Sequence, residues 1–268
     1  MFSEVRGGHK TKEIQESSQG ASMNQNGLII LLARNNVALS RECLKSLRAQ
    51  TVPVTILAVD NASTDGTKQW LRAERGIRVM SFEQQLSVAE CWNTALRWGW
   101  SQGHDEALVC NNDVEILPET YQTLSDWAAA DDGRKTGMVT CVSRRERSEL
   151  VYEKPFSHRP NPDYSCYLIQ RWAHEQVPFD ENFLIAFGED GDSHVRMHRQ
   201  GIRCECIDLP FLHHGSQTVK RADEIERRRI GRQADKNREY FFQKWGKRIG
   251  TEGYDDLFRD ETFGIDMI

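Results

Sequence analysis

Residues 53–67 read PVTILAVDNASTDGT. Pro53 opens the segment, and Val54–Val59 follow as a continuous apolar, β-branched run without polar alternation. That is the pattern of a strand buried on both faces. The run stops at Asp60 in a set of turn-forming residues, and Asp65-Gly66-Thr67 lead into a helix bearing Trp70 and Leu71. A strand that ends in a polar turn and passes into a helix is the repeating unit of an open α/β sheet. Such sheets bind ligands at the carboxyl ends of their strands. Asn111-Asn112-Asp113 close a second apolar run, 53 residues after Asp60 counted to Asp113. Asp60 and Asp113 are therefore expected on one rim.

Working outward, the same alternation extends on both sides. Gly27–Arg34 (GLIILLAR) is a further continuous apolar run, fit for a strand buried on both faces. Ser40 is placed to cap a helix carrying Cys43, Leu44 and Leu47. Ile77–Phe82 reads as a strand, Val88–Trp100 as a helix, and Ala107–Cys110 as a strand. Pro118 starts a helix through Leu124 and Trp127, and Met138–Val142 is a fifth strand. Short connections between alternating strands and helices predict a Rossmann-like, mainly parallel central sheet flanked by helices.

The second half differs. Arg144–Pro162 is charged and contains proline, as in an exposed loop or hairpin. Tyr164–Gln170 returns to strand character. Gly188-Glu189-Asp190-Gly191-Asp192 precede a helix over Ser193–Gln200, closed by Gly201. Ile202–Ile207 is a strand, followed by Phe211-Leu212-His213-His214-Gly215-Ser216. From about Thr218 a long basic helix runs to the aromatic cluster Tyr240, Phe241, Phe242 and Trp245. The expected organisation is a flexible leader over 1–26, a first half over 27–142 and a second half over 143–217 of the same domain, and a helical extension over 218–268.

The chain has 268 residues and a net charge of −5. Lys220–Arg248 hold eleven Lys/Arg against five Asp/Glu, an excess of +6, so the remainder carries −11. No apolar stretch approaches the roughly 20 residues needed to span a bilayer. The Ser/Gln/Glu-rich start lacks the apolar core of a secretory signal. Seven scattered cysteines, odd in number, fit reduced thiols in a cytoplasmic protein. Cys204 and Cys206 have no second Cys/His pair and read as buried thiols rather than a zinc site.

In order along the chain, five pieces resemble family 2 glycosyltransferases of the GT-A fold. They are Ala33-Arg34-Asn35, the Val59–Thr67 segment, Asn111-Asn112-Asp113 at the DxD position, Gly188–Asp192 with Arg196 and Gly201, and His213–Ser216. Lys244-Trp245-Gly246 is similar to the ending of rhamnosyltransferase-type bacterial enzymes. The resemblance implies an inverting, metal-dependent hexosyltransferase that uses a UDP- or dTDP-linked donor.

Each residue then acquires an implied role. Asp60 reads the base imide, with Ala33, Asn35, Asn61, Asn93, Asn111 and Asn112 also on the donor nucleotide. Asp113, with His213 or His214, holds Mn2+ or Mg2+, ions that favour oxygen ligands and phosphate. Adjacent side chains in extended backbone point oppositely, so one histidine is expected in the site, with His213 preferred. Asn111 stands where the motif has an acid, which removes one charge. Asp190 matches the base, with Glu189 the second candidate, because burial can raise a carboxylate to a useful pKa. Asp192, Arg196 and Arg228 are candidates for acceptor or phosphate contacts; Asp192 alternatively caps the helix or pairs with Arg196. The acceptor is a carbohydrate or lipid-linked hydroxyl, or a modified DNA base. Two other readings remain open: a nucleotidyltransferase on a sugar phosphate, and a non-catalytic module binding glycan or nucleic acid.

Overall fold

The computed structural model describes residues 14–15, 26–130, 135–154, 158–159, 162–215, 220, 222–251 and 253–258. Its first half contains strands β1 (Ile14–Gln15), β2 (Gly27–Ala33), β3 (Val54–Asn61), β4 (Arg78–Phe82), β5 (Glu106–Asn111) and β6 (Val114–Glu115). Helices α1 (Val37–Arg48), α2 (Thr67–Ala73), α3 (Val88–Ser101) and α4 (Thr120–Ala129) lie between or after them. The second half adds β7 (Thr136–Arg144), β8 (His158–Arg159), β9 (Cys166–Gln170), α5 (Arg171–Gln176), α6 (Glu189–Arg199), β10 (Arg203–His213) and α7 (Glu224–Trp245).

These strands form one sheet in the order β1-β4-β3-β2-β5-β9-β7-β10-β6, with β8 beside β10. Strands β2, β3, β4, β5, β7 and β10 run in one direction. β9 is inserted antiparallel between β5 and β7. The expected mainly parallel sheet flanked by helices is the fold observed. β1 pairs antiparallel with β4, so the segment assigned to a leader supplies a short edge strand. The rest of 1–25 lies outside the described residues.

The absence of alternation in β2 has the predicted cause. Leu28, Ile30 and Leu32 enter one core layer with Trp92, Leu96 and Met197. Ile29, Leu31 and Ala33 enter the other with Leu44, Leu71 and Leu124. Helices therefore cover both faces, as a parallel sheet requires. The tryptophans Trp92, Trp98 and Trp100 are buried in the first layer. A third cluster of Phe183, Val195, Phe241, Leu257 and Phe258 docks α7 and the following tail against α6.

Three boundaries differ from expectation in ways that matter for the site. α1 starts at Val37, after Asn36 in a left-handed conformation, so Ser40 lies inside the helix. Asn tolerates that backbone region, and the Asn36 amide donates to Asp65 Oδ2 at 2.6 Å. α6 starts at Glu189, so the acidic cluster is the first turn of the helix rather than a loop before it. β10 runs unbroken to His213 and absorbs Pro210 at a register shift against β7; a bulge is where a strand accommodates proline.

Candidate active site

A cavity of about 480 Å³ opens at the carboxyl ends of the parallel strands. Strand ends supply Arg34, Asn61 and Asn111–Asp113, and α6 supplies Glu189 and Asp190. β10 supplies His213, the turn before β9 supplies Asp163, and α7 supplies Ile230. A second cavity, of about 510 Å³, shares Pro162, Tyr164 and Asp190 with the first.

The Asp60 rim is organised by backbone capture. Ala33 pairs with Asp60 across β2 and β3. Asn35 Oδ1 accepts from the Thr64 amide at 2.7 Å, and the Asn35 amide donates to Ser63 Oγ at 2.8 Å. Asp60 is fully buried below the rim; its Oδ1 accepts from the Ser63 amide at 3.3 Å. Its Oδ2 has no hydrogen-bond partner among the described residues. Burial raises its pKa. Asn61 lines the cavity and exchanges hydrogen bonds with the Leu86 backbone, at 3.0 and 2.9 Å. Asn112 donates to the Asn35 carbonyl and to Ser40 Oγ, both at 2.8 Å, which ties the two rims together. Arg34 donates to the carbonyls of Asn61 and Ala62 at 2.9 and 3.1 Å. Arg34 stood in the quoted motif without a role; it lies in the cavity wall.

β6 and the end of β10 pair antiparallel, with Leu212 opposite Glu115 and His213 opposite Val114. This pairing brings His213 Nε2 to 3.6 Å from Asp113 Oδ1. His213 Nδ1 lies 4.0 Å from Asp163 Oδ2. His214 turns to the other side and meets Glu115 Oε1 at 3.0 Å. Alternation along the strand thus puts His213 in the site and removes His214 from it. Among the described residues no group of three or more His, Cys, Asp or Glu converges as a complete metal cage. Asp163 was not anticipated; it precedes a strand whose insertion between β5 and β7 the order of elements does not reveal.

The acidic helix start divides by depth. Glu189 is buried, its Oε2 has no partner among the described residues, and burial followed by the charge of Asp190 raises its pKa well above the usual range. Asp190 is reached by solvent from both cavities, yet protein surrounds it on the remaining sides, and that desolvation raises its pKa as well. Asp192 faces away from the cavities. Arg196 Nε donates to its Oδ2 at 2.8 Å, Trp245 Nε1 to its Oδ1 at 2.8 Å, and Lys244 Nζ lies 2.7 Å from Oδ1. Arg196 also donates to the Pro178 carbonyl at 2.5 Å. Asp192 and Arg196 therefore join α6 to its surroundings and line neither cavity.

The backbone leading into these carboxylates is strained. Ile185 and Phe187 have φ of 64° and 79°, a region that costs a β-branched or bulky residue about 1–3 kcal/mol. Asn237 of α7 holds them there: its Nδ2 lies 2.9, 2.9 and 3.0 Å from the carbonyl oxygens of Leu184, Ala186 and Phe187. The Val88 amide at the start of α3 donates to the Ile185 carbonyl at 2.8 Å.

Of the expected nucleotide contacts, Ala33, Asn35 and Asp60 line neither cavity, and two further expected contacts, Asn93 and Arg228, are held elsewhere. Asn93 donates to the Phe179 carbonyl and Glu181 Oε1, both at 2.9 Å, and its Oδ1 accepts from the Phe179 amide at 3.0 Å. These bonds leave it a buried structural amide. Arg228 is exposed on α7 and pairs with Glu224. Neither lines a cavity.

Over residues 28–196 the sequence matches the family model described as glycosyl transferase family 2. The chain belongs to this family. The transferase matches no curated protein by sequence. Its fold is similar to that of a mannosyltransferase from Pyrobaculum calidifontis in complex with GDP-Man and Mn2+, at 18% identity and a TM-score of 0.59 over 84% of this chain and 66% of the other. S. aureus TarS 1-349 in complex with UDP gives 16% identity and a TM-score of 0.56 over 86% and 75%. Glucosyl-3-phosphoglycerate synthase from Mycobacterium tuberculosis, in complex with phosphoglyceric acid, gives 17% and 0.58 over 82% and 80%. At these identities the likeness establishes the GT-A fold alone.

Proposed function

We propose that this glycosyltransferase moves a hexosyl group from a UDP- or dTDP-sugar to an acceptor hydroxyl in one inverting displacement. The observation that carries the reading is the position of Asp190 in the wall common to the two cavities. A base that must touch the acceptor while the donor's anomeric carbon lies opposite belongs at such a junction. Asp190 takes the proton of the acceptor hydroxyl. The acceptor oxygen bonds to the anomeric carbon from the face opposite the diphosphate, whose C–O bond breaks and whose oxygen keeps the electron pair.

Asp60 is assigned to the base imide by its place near the end of β3 beside cavity-lining Asn61, its own side chain being buried and lining neither cavity, and Asn111 and Asn112 at the cavity wall suit the ribose. Asp113 and His213 would hold Mn2+ or Mg2+. One carboxylate and one imidazole fit ions that keep waters and take most remaining ligands from substrate phosphates. When bound, the ion supplies charge neutralisation for the departing diphosphate. Relatives of the same fold bound to GDP-Man with Mn2+ and to UDP support this use of the cavity. Seven free thiols support a reducing, cytoplasmic setting. Among the described residues no helix is long and apolar enough to cross a membrane.

The test is a thermal-shift screen of UDP, dTDP and GDP sugars with Mn2+, followed by assay of the released nucleotide. A UDP- or dTDP-sugar shifts the transition and yields the diphosphate. Asp190→Asn keeps the shift and loses turnover by roughly a hundredfold or more. Release of pyrophosphate, or unchanged turnover in Asp190→Asn, overturns the reading.

A further inference from the structure

The second cavity owes one wall to the chain beyond α7. Ile249, Gly250, Thr251, Tyr254 and Asp255 line it from that side, facing His194 and Asp190 of α6. The tail lies directly on the helix start because residue 191 is glycine. A Cβ there would meet Ile249 Cδ1 at 2.7 Å and Tyr254 OH at 3.4 Å. Tyr254 is fixed in turn by ring contacts with Phe241 at 6.1 Å and Phe258 at 5.3 Å. The family match ends at residue 196, so this wall lies outside the matched segment.

The wall has a definite chemistry. Among the described residues that line the cavity there is no lysine or arginine, while Asp190 and Asp255 carry carboxylates. His194 adds no positive charge near neutrality: burial lowers its pKa to about 4, and its ring lies against Phe258 with centroids 4.3 Å apart. Burial and then the nearby Asp190 carboxylate keep the Tyr254 phenol protonated, as a neutral donor. Its volume of about 510 Å³ lies within the about 300–1,000 Å³ typical of small-molecule sites. The first cavity, by contrast, has Arg34 and His213 in its wall.

We infer that the second cavity admits the acceptor as an uncharged polyhydroxylated group, a neutral sugar or polyol, with Tyr254 and Asp255 hydrogen-bonding hydroxyls beside the one that Asp190 deprotonates. The assignment of acceptor to this cavity rests on the role proposed for Asp190. A phosphorylated or carboxylated acceptor would have to leave water for a cavity whose described lining carries carboxylates and, among the described residues, no lysine or arginine to meet it. The basic residue Arg228 of α7 does not line the cavity and does not relieve this.

Binding tests this without turnover. The full chain, with UDP and Mn2+ present, is titrated by ligand-observed NMR with methyl glycosides of glucose, galactose and mannose, and with the 6-phosphates of the same sugars. At least one neutral glycoside binds about tenfold tighter than its phosphate. Asp255→Lys, a change at an exposed position, narrows or reverses that preference by about tenfold. Tyr254→Phe weakens the neutral ligand by about threefold or more and leaves UDP affinity unchanged. The inference is overturned by phosphates binding as well as neutral sugars, by no neutral glycoside binding, or by an unchanged preference in Asp255→Lys. Failure of Asp190→Asn to lose turnover overturns the catalytic reading and leaves the binding result standing.

Discussion

His213 Nε2 lies 3.6 Å from Asp113 Oδ1, joined across the antiparallel pairing of β10 with β6. One carboxylate and one imidazole at this separation are enough for a cation whose other ligands come from substrate and water. Asp113→Ala should lower turnover by roughly a hundredfold or more. His213→Ala should raise the Mn2+ concentration giving half-maximal rate by about tenfold, while His214→Ala leaves it unchanged. Metal titrations of the nucleotide-release rate check this, with thermal unfolding to confirm that each variant is folded.

The two neighbouring acids should separate by pH. As the proposed base, Asp190 must be ionised to accept a proton, and its pKa is raised by desolvation. The acid limb of kcat/KM should therefore fall above the ordinary aspartate value of 3.8, with activity lost as pH drops through it. Glu189 acts on stability. Its raised native pKa means that the folded state binds the proton more tightly than the unfolded chain. The stabilisation is complete below the ordinary glutamate value of 4.5 and is lost as pH rises through the native pKa. Glu189→Gln should unfold at the same temperature as the parent near pH 4 and at a higher one toward pH 8. Calorimetry across that range is the check.

Asn237 holds three carbonyls of the strained segment before Asp190. Asn237→Ala should cost about 1–3 kcal/mol in stability by leaving three part-buried carbonyls without the amide that holds them. It should also lower kcat at saturating donor without weakening UDP binding, because the base loses its position and the nucleotide rim does not. A denaturant titration and a kcat against KM comparison distinguish this from simple unfolding.

Two cations on α7 should behave oppositely. Lys244 bridges Asp180 and Asp192, at 2.7 Å from each, and the Asp192 side chain is fully buried. Lys244→Met should destabilise the protein by about 2–4 kcal/mol. Arg228 is exposed and paired only within its helix turn, so Arg228→Ala should leave rate and stability nearly unchanged. Paired unfolding curves and rates decide both.

What was readable from residues follows the range of the interactions involved. β2, β3 and β5 were legible because each is a short apolar run buried by helices on both faces, and their polar ends marked the rim. The opposite orientations of His213 and His214 were legible because strand alternation is local. Asp163 was not, because β9 enters the sheet antiparallel between β5 and β7, a pairing set by the packed whole. The partners of Asn93 were hidden for a related reason. Its helix position is as expected, but its partners, Phe179 and Glu181, come from a loop more than eighty residues later. Asn237 gave no signal in the sequence, because a single asparagine in a polar helix is ordinary until its acceptors are known.

The Asn237 contact has a consequence for how the protein is made. A chain growing from its amino end has released every motif residue, from Asp60 to His213, before Asn237 emerges. At that stage every described strand has been made, yet nothing from α7 holds Ile185 and Phe187 in their unfavourable backbone states. The segment that leads into Glu189 and Asp190 is therefore set by a residue made after both of these cavity-lining carboxylates, and its geometry is acquired late by the nascent protein.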